Sequence, residues 1–168
     1  MSVSRAELFA FLDKLGISHH TTTHEPVFTV EESAKINASL PGGHTKNLFL
    51  KDKKGRFFLI SALASTQIHI NSLSKTLGCA RLSFGSADAM HQILGVTPGS
   101  VTALSLINDT DKRVTFVVDS ALLTESPIYF HPLLNNASTA ILPDDLLRFA
   151  NATEHPHVLV DFSASNLS

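Results

Sequence analysis

"KNLFLKDKKGRFFLISAL", residues 46–63, decides the fold class. Two apolar runs, "KNLFLKD" and "RFFLISAL", flank "KDKKGR" (51–56), where Gly55 and a cluster of charges supply a turn. Strand-like runs joined this way read as a β-hairpin. "VTALSLIND" (101–109) and "RVTFVVDS" (113–120), around "DTDK", read as a second hairpin of the same kind. A doubly wound parallel sheet needs strands and helices to alternate, and hairpins interrupt that alternation. The expectation is therefore an α+β fold with a mixed, largely antiparallel sheet.

Working outward, the helices punctuate these strands. Leu8, Phe11, Leu12 and Leu15 recur at three- and four-residue steps, one face of a helix running from Ser4 to Leu15. Ser4 stands three residues before Glu7, the capping-box spacing, and Gly16 is the expected stop. "TVEESAKI" (29–36), "HINSLSKTLG" (69–78), "SADAMHQILG" (86–95) and "PDDLLRFANAT" (143–153) read as further helices, the last opened by Pro143 and two aspartates. "ISHHTTTH" (17–24), "ARLSF" (80–84), "PIYFHP" (127–132), "STAIL" (138–142) and "HVLVDF" (157–162) read as strands, the first near an edge.

The chain has 168 residues, 43% hydrophobic and 17% charged, with a net charge of −2. That composition suits one globular domain over residues 1–168. The slight acidity argues against a protein that coats nucleic acid non-specifically, because such binding is driven by neutralising many phosphates. A single cysteine, Cys79, precludes an internal disulfide framework and reads as packing. The N-terminal helix is amphipathic, unlike the apolar core of a signal peptide, and no apolar run reaches about 18 residues. A soluble, cytoplasmic protein is expected.

Common catalytic signatures are missing. There is no G-x-x-x-x-G-K-[ST], no G-x-G-x-x-G after a strand and no G-x-S-x-G elbow. The nine histidines include His19, His20, His24, His155 and His157 but form no H-E-x-x-H pattern, so they read as partly exposed polar residues. Neither a metal nor a cofactor is expected. Three glycine- or proline-flanked segments remain: "PGGHTKN" (41–47), "GVTPGS" (95–100) and "FHPLLNNAST" (130–139). Each taken singly is a plain turn; together they can line one pocket, since functional residues concentrate on loops held by a rigid scaffold.

These segments, extended to "PVFTVEESAKI", "LPGGHTKNLFLKDKKGRFFLI", "LSFGSADAMHQILGVTPGSVT", "LINDTDKRVTFVVDSALL" and "YFHPLLNNASTAILPDDLLRF", resemble the YbaK/prolyl-tRNA synthetase-associated editing family. The resemblance covers residues 20–162 and is closest to the branch of free-standing alanyl-tRNA(Pro) deacylases. It implies a curved sheet or partial barrel of about seven strands with flanking helices. It also implies a hydrolase that removes alanine from mischarged tRNA(Pro) in trans.

In that family the lysine before the asparagine is essential, and it falls on Lys46. A fixed cation there would stabilise the carbonyl oxygen as it gains charge, or hold the terminal phosphate. The resemblance implies a water oriented by the substrate's own ribose hydroxyl. Asn47 would anchor the substrate, and Gly42, Gly43, His44 and Thr45 would shape the loop before Lys46. Gly95, Pro98, Gly99 and Ser100 would hold the aminoacyl group or the water through backbone groups, with Ala103 standing where relatives tend to have proline. His131, followed by Asn135 and Thr139, would line and limit the amino-acid pocket, with Phe28 and Ile36 as further walls. That pocket would admit alanine and refuse proline by shape. Lys51, Lys53, Lys54 and Arg56 would meet tRNA, and prolyl-tRNA synthetase would be a partner. The competing readings are a deacylase of cysteinyl- or seryl-tRNA and a non-catalytic module binding tRNA or a synthetase.

Overall fold

A computed structural model describes residues 2–26, 35, 38 and 40–163. The helix expected over 29–36, with Phe28 and Ile36, lies outside the described residues save Lys35. Four helices are described: α1 (Arg5–Lys14), α2 (Ile70–Leu77), α3 (Ala87–Leu94) and α4 (Pro143–Ala152). Eight strands accompany them: β1 (His20–Thr23), β2 (Gly43–Asp52), β3 (Phe57–Leu63), β4 (Leu82–Phe84), β5 (Val114–Asp119), β6 (Ile128–Phe130), β7 (Ala137–Ile141) and β8 (Val158–Val160).

The strands form one open mixed sheet in the order β1-β7-β6-β2-β3-β5-β8, with β4 added to the far end of β2. The 46–63 hairpin is its centre: β2 and β3 pair antiparallel from Thr45↔Leu63 to Lys51↔Phe57 without a bulge. The turn between them is tied by Asp52, whose buried carboxylate accepts the backbone N–H groups of Lys54, Arg56 and Ala80. Burial works against that charge, and the three amides overcome it to hold the carboxyl below its ordinary pKa.

The second expected hairpin does not form. Residues Ala103–Asn108 make a 3-10 helix, and β5 pairs parallel with β3. Local chemistry explains the difference. Thr102 caps the segment by accepting from the N–H of Leu104, and Ser105 Oγ donates to the Thr102 carbonyl. Ala103, Leu104, Ser105 and Leu106 are all buried, where a half-buried strand would alternate. Asp109 then receives the N–H groups of Arg113 and Val114, so the supposed hairpin turn is a capped corner into β5.

Side chains alternate across β2 and β3 and separate two cores. Phe49, Phe57 and Leu59 face the larger core, filled by Leu8 and Leu12 of α1, Ile93 and Leu94 of α3, and Leu146 and Phe149 of α4. Leu50, Phe58 and Ile60 face the smaller one, closed by Leu73 of α2 with Leu82, Val117, Val160 and Phe162. The Ser4–Glu7 capping box starts α1 as expected.

Candidate functional site

The smaller core covers only part of its face of the sheet. Towards β6, β7 and β1 the same face turns polar. Register shows how. His44 on β2 pairs with Tyr129 on β6, Tyr129 with Ala140 on β7, and Ala140 with His20 on β1. Continued two residues beyond its last paired residues, His44 and Tyr129, that register would bring Lys46 on β2 into one row with Ser138 on β7, which pairs with Thr22. His131, just past the end of β6, falls between them in that order. Lys46 also pairs with Ala62 on β3.

The "PGG" before Lys46 permits a close backbone crossing. Gly42 has φ +133°, and a Cβ there would lie 2.6 Å from the Pro127 carbonyl oxygen. Gly43 donates to that same carbonyl at 2.8 Å. Gly43, His44 and Thr45, expected in a loop, are the first residues of β2. His44 stacks on Tyr129 with centroids 4.8 Å apart, and its Nε2 donates to the Leu40 carbonyl at 2.7 Å. The Tyr129 hydroxyl donates to the Pro41 carbonyl at 2.7 Å. These contacts fasten residues 40–41 over the start of the polar face.

The half-buried Lys46 ammonium donates to the backbone carbonyl of Thr66. Asn47 projects from the opposite face of β2, where its Oδ1 accepts the hydroxyl of the fully buried Ser61. Its Nδ2 lies 3.4 Å from Thr45 Oγ1.

His131 is half-buried, and its Nδ1 donates to the Ala137 carbonyl at 2.9 Å. Burial lowers its pKa; the bond to Ala137 opposes this, and nearby His24 and Arg5 add to the lowering. A carbonyl partner fixes the proton of the neutral ring on Nδ1 and leaves Nε2 an acceptor. His24 meets the Glu25 carbonyl through Nδ1 at 2.8 Å and Ser138 Oγ through Nε2 at 2.9 Å. Arg5 of α1 ties down the segment after His131, through the Pro132 carbonyl at 3.1 Å and Asn136 Oδ1 at 2.5 Å. Thr139 turns to the other face and shares a hydrogen bond with Thr21 at 2.8 Å, while Asn135 is buried.

The second segment sits elsewhere. Gly95 is the left-handed C-cap of α3, packed against Ser2 and Asn108, and Val96 joins the larger core. Pro98 and Gly99 are exposed and Ser100 is buried. The contacts holding this loop therefore run in the layer of the larger core, across β2 from Lys46. Ala103 opens the 3-10 helix, a first-turn position whose backbone geometry suits proline.

Lys51, Lys53, Lys54 and Arg56 are exposed at the tip of the hairpin, with Arg113 alongside on the neighbouring strand end. Five extended steps along β2 separate Lys51 from Lys46, roughly 16 Å. Cys79 packs beside the smaller core, and burial raises its thiol pKa. His155, expected to be partly exposed, is buried and holds Asp109 at 2.8 Å. Among the residues of this face, Thr66, Asp119, Tyr129 and Ser138 were not singled out from sequence. Asp119 had a signal, an acid closing the apolar run "VTFVV"; Thr66 had none.

Residues 24–149 match the family described as aminoacyl-tRNA editing domain. The chain belongs to this family. The editing domain is 42% identical to the mouse prolyl-tRNA synthetase associated domain-containing protein 1 over 163 residues, covering 94% of this chain and 96% of that one. It is 33% identical to the prolyl-tRNA editing protein ProX of Acetoanaerobium sticklandii over 150 residues, covering 89% and 92%. A solved structure described as a candidate trans-editing enzyme for prolyl-tRNA synthetase superposes with a TM-score of 0.71 at 16% identity, covering 95% and 98%, which supports the fold. No described helix of the editing domain is long and apolar enough to cross a membrane.

Proposed function

We propose that this editing domain hydrolyses the ester of alanyl-tRNA(Pro) in trans. The observation that carries the reading is the Lys46 ammonium on β2, two residues past the His44↔Tyr129 pair and on the sheet face that Tyr129 and Ser138 share. Membership of the editing family and the 33% identity to a prolyl-tRNA editing protein support the same conclusion.

In this reading a water oxygen adds to the ester carbonyl carbon, and the substrate's free ribose hydroxyl orients that water. The bond from the carbonyl carbon to the ribose oxygen then breaks. The ribose oxygen takes up one proton of the water, the other passes to solvent, and alanine leaves as its carboxylate. Lys46 supplies positive charge where the carbonyl oxygen becomes negative, or holds the terminal phosphate. His131 confines the amino-acid pocket so that proline is refused by shape. Asn47 acts from the far side of β2, through the strand it anchors with Ser61. Lys51, Lys53, Lys54 and Arg56 meet tRNA phosphates, and prolyl-tRNA synthetase is the partner that delivers them.

The test is deacylation of Ala-tRNA(Pro), Pro-tRNA(Pro) and Cys-tRNA(Pro) by the wild type and Lys46→Ala. Release of alanine alone, lowered at least about 100-fold by the substitution, is expected. Release of cysteine instead moves the substrate to another mischarged tRNA. No release from any of the three, with tRNA still bound, makes the protein a binding module.

A further inference from the structure

Lys46 is held by an element that nothing in its own segment reveals. Its ammonium donates to the Thr66 carbonyl, in the turn that follows β3. That turn is organised around one carboxylate. Asp119, at the end of β5 and 1% exposed, accepts the Thr66 hydroxyl at 2.5 Å and the Leu63 N–H at 3.1 Å on Oδ2. Its Oδ1 accepts the Ala121 N–H at 3.0 Å. The Thr66 N–H closes the turn on the Leu63 carbonyl at 2.9 Å.

We propose that Asp119 is a positioning residue for Lys46, acting through the Thr66 hydroxyl to fix the carbonyl that holds the ammonium. This rests on the editing reading for its catalytic consequence, but not for its geometry. The physical argument has three parts. A lysine side chain has many rotamers, and a single fixed carbonyl selects among them. A turn carbonyl is only as fixed as its turn, and here two donors within the turn converge on one buried oxygen. A buried carboxylate needs such donors, so the arrangement is mutually enforcing.

The substitutions are Thr66→Val, which keeps the carbonyl and the shape but removes the hydroxyl, Thr66→Ser, which restores the hydroxyl, and Asp119→Asn. The first readout is the side-chain ammonium 1H–15N signal of Lys46, assigned by its loss in Lys46→Arg. A carbonyl-bound ammonium exchanges slowly enough to be seen. The signal is expected in the wild type and Thr66→Ser, and lost or shifted in Thr66→Val and Asp119→Asn. The second readout is deacylation. Thr66→Val and Asp119→Asn are expected to lose at least tenfold in kcat with KM changed less than twofold, and Thr66→Ser to stay within about twofold of wild type. Persistence of the Lys46 signal in Thr66→Val, its absence from the wild type, or equal losses in Thr66→Val and Thr66→Ser would overturn the proposal. If the wild type releases no amino acid while the ammonium signal follows the expected pattern, the substrate reading fails and the positioning role stands.

Discussion

Lys46 and Asn47, neighbours in the chain, stand on opposite faces of β2: one ammonium reaches the Thr66 carbonyl, while the amide beside it is bound to Ser61 within the layer of the larger core. Strand alternation makes this unavoidable. The two residues therefore have separable effects. Ser61→Ala removes the hydroxyl that Asn47 Oδ1 accepts, and should cost about 1 kcal/mol in denaturant-measured stability. Because Lys46 is untouched, kcat should change less than the stability does. A loss of kcat without a loss of stability would contradict this division.

Gly42 answers to backbone geometry. Its φ of +133° and the Pro127 carbonyl oxygen 2.6 Å from a built Cβ leave no room for alanine. Gly42→Ala should lower stability by about 1–3 kcal/mol, by pushing β6 from β2. The His44–Tyr129 stack crosses that junction, so chemical shifts of both rings should move while those of α2 do not.

Acid sensitivity should trace to Asp109. Burial raises its pKa, but His155 and the N–H groups of Arg113 and Val114 outweigh this and hold it below the ordinary value. A carboxyl with a lowered folded pKa adds stability above its unfolded pKa and loses it as pH falls through the folded value. Asp109→Asn should thus be less stable than wild type near neutrality by about 2 kcal/mol. The difference in melting temperature should shrink as pH drops below about 4. A pH-independent difference would remove the linkage.

The charged hairpin tip should act on tRNA encounter alone. Replacing both Lys53 and Lys54 with glutamine should raise KM for aminoacylated tRNA, leave kcat unchanged, and flatten the salt dependence of binding by about 1.4–1.8 in log–log slope. An unchanged slope would show that these lysines touch no phosphate.

The sequence exposed those parts of the fold whose signals are local. The β2–β3 hairpin, the Ser4 cap and the glycine after α2 each follow from a few adjacent residues. The segment 101–109 was misread because "VTALSLI" is β-branched and apolar, and its propensity was overruled by the Thr102 and Asp109 side chains acting as local caps. For the site, Lys46 and His131 were visible as residues. Their common row was not, because it depends on a parallel pairing between Gly43 and Ile128 that no local pattern encodes. The link between Thr66 and Asp119 was hidden for the same reason, the two being joined only by the docking of β5 on β3.

That parallel contact between β2 and β6 also sets the order in which the molecule can be made. The hairpin carrying Lys46 closes over a few residues and can form as soon as it is synthesised. The row it belongs to must wait for a loop of some 85 residues to close, so its entropy cost falls late and slows folding. A chain emerging from the ribosome would hold its lysine in place on β2 well before it held His131 or Ser138 opposite. Competence for the chemistry would then report that the last third of the chain has docked.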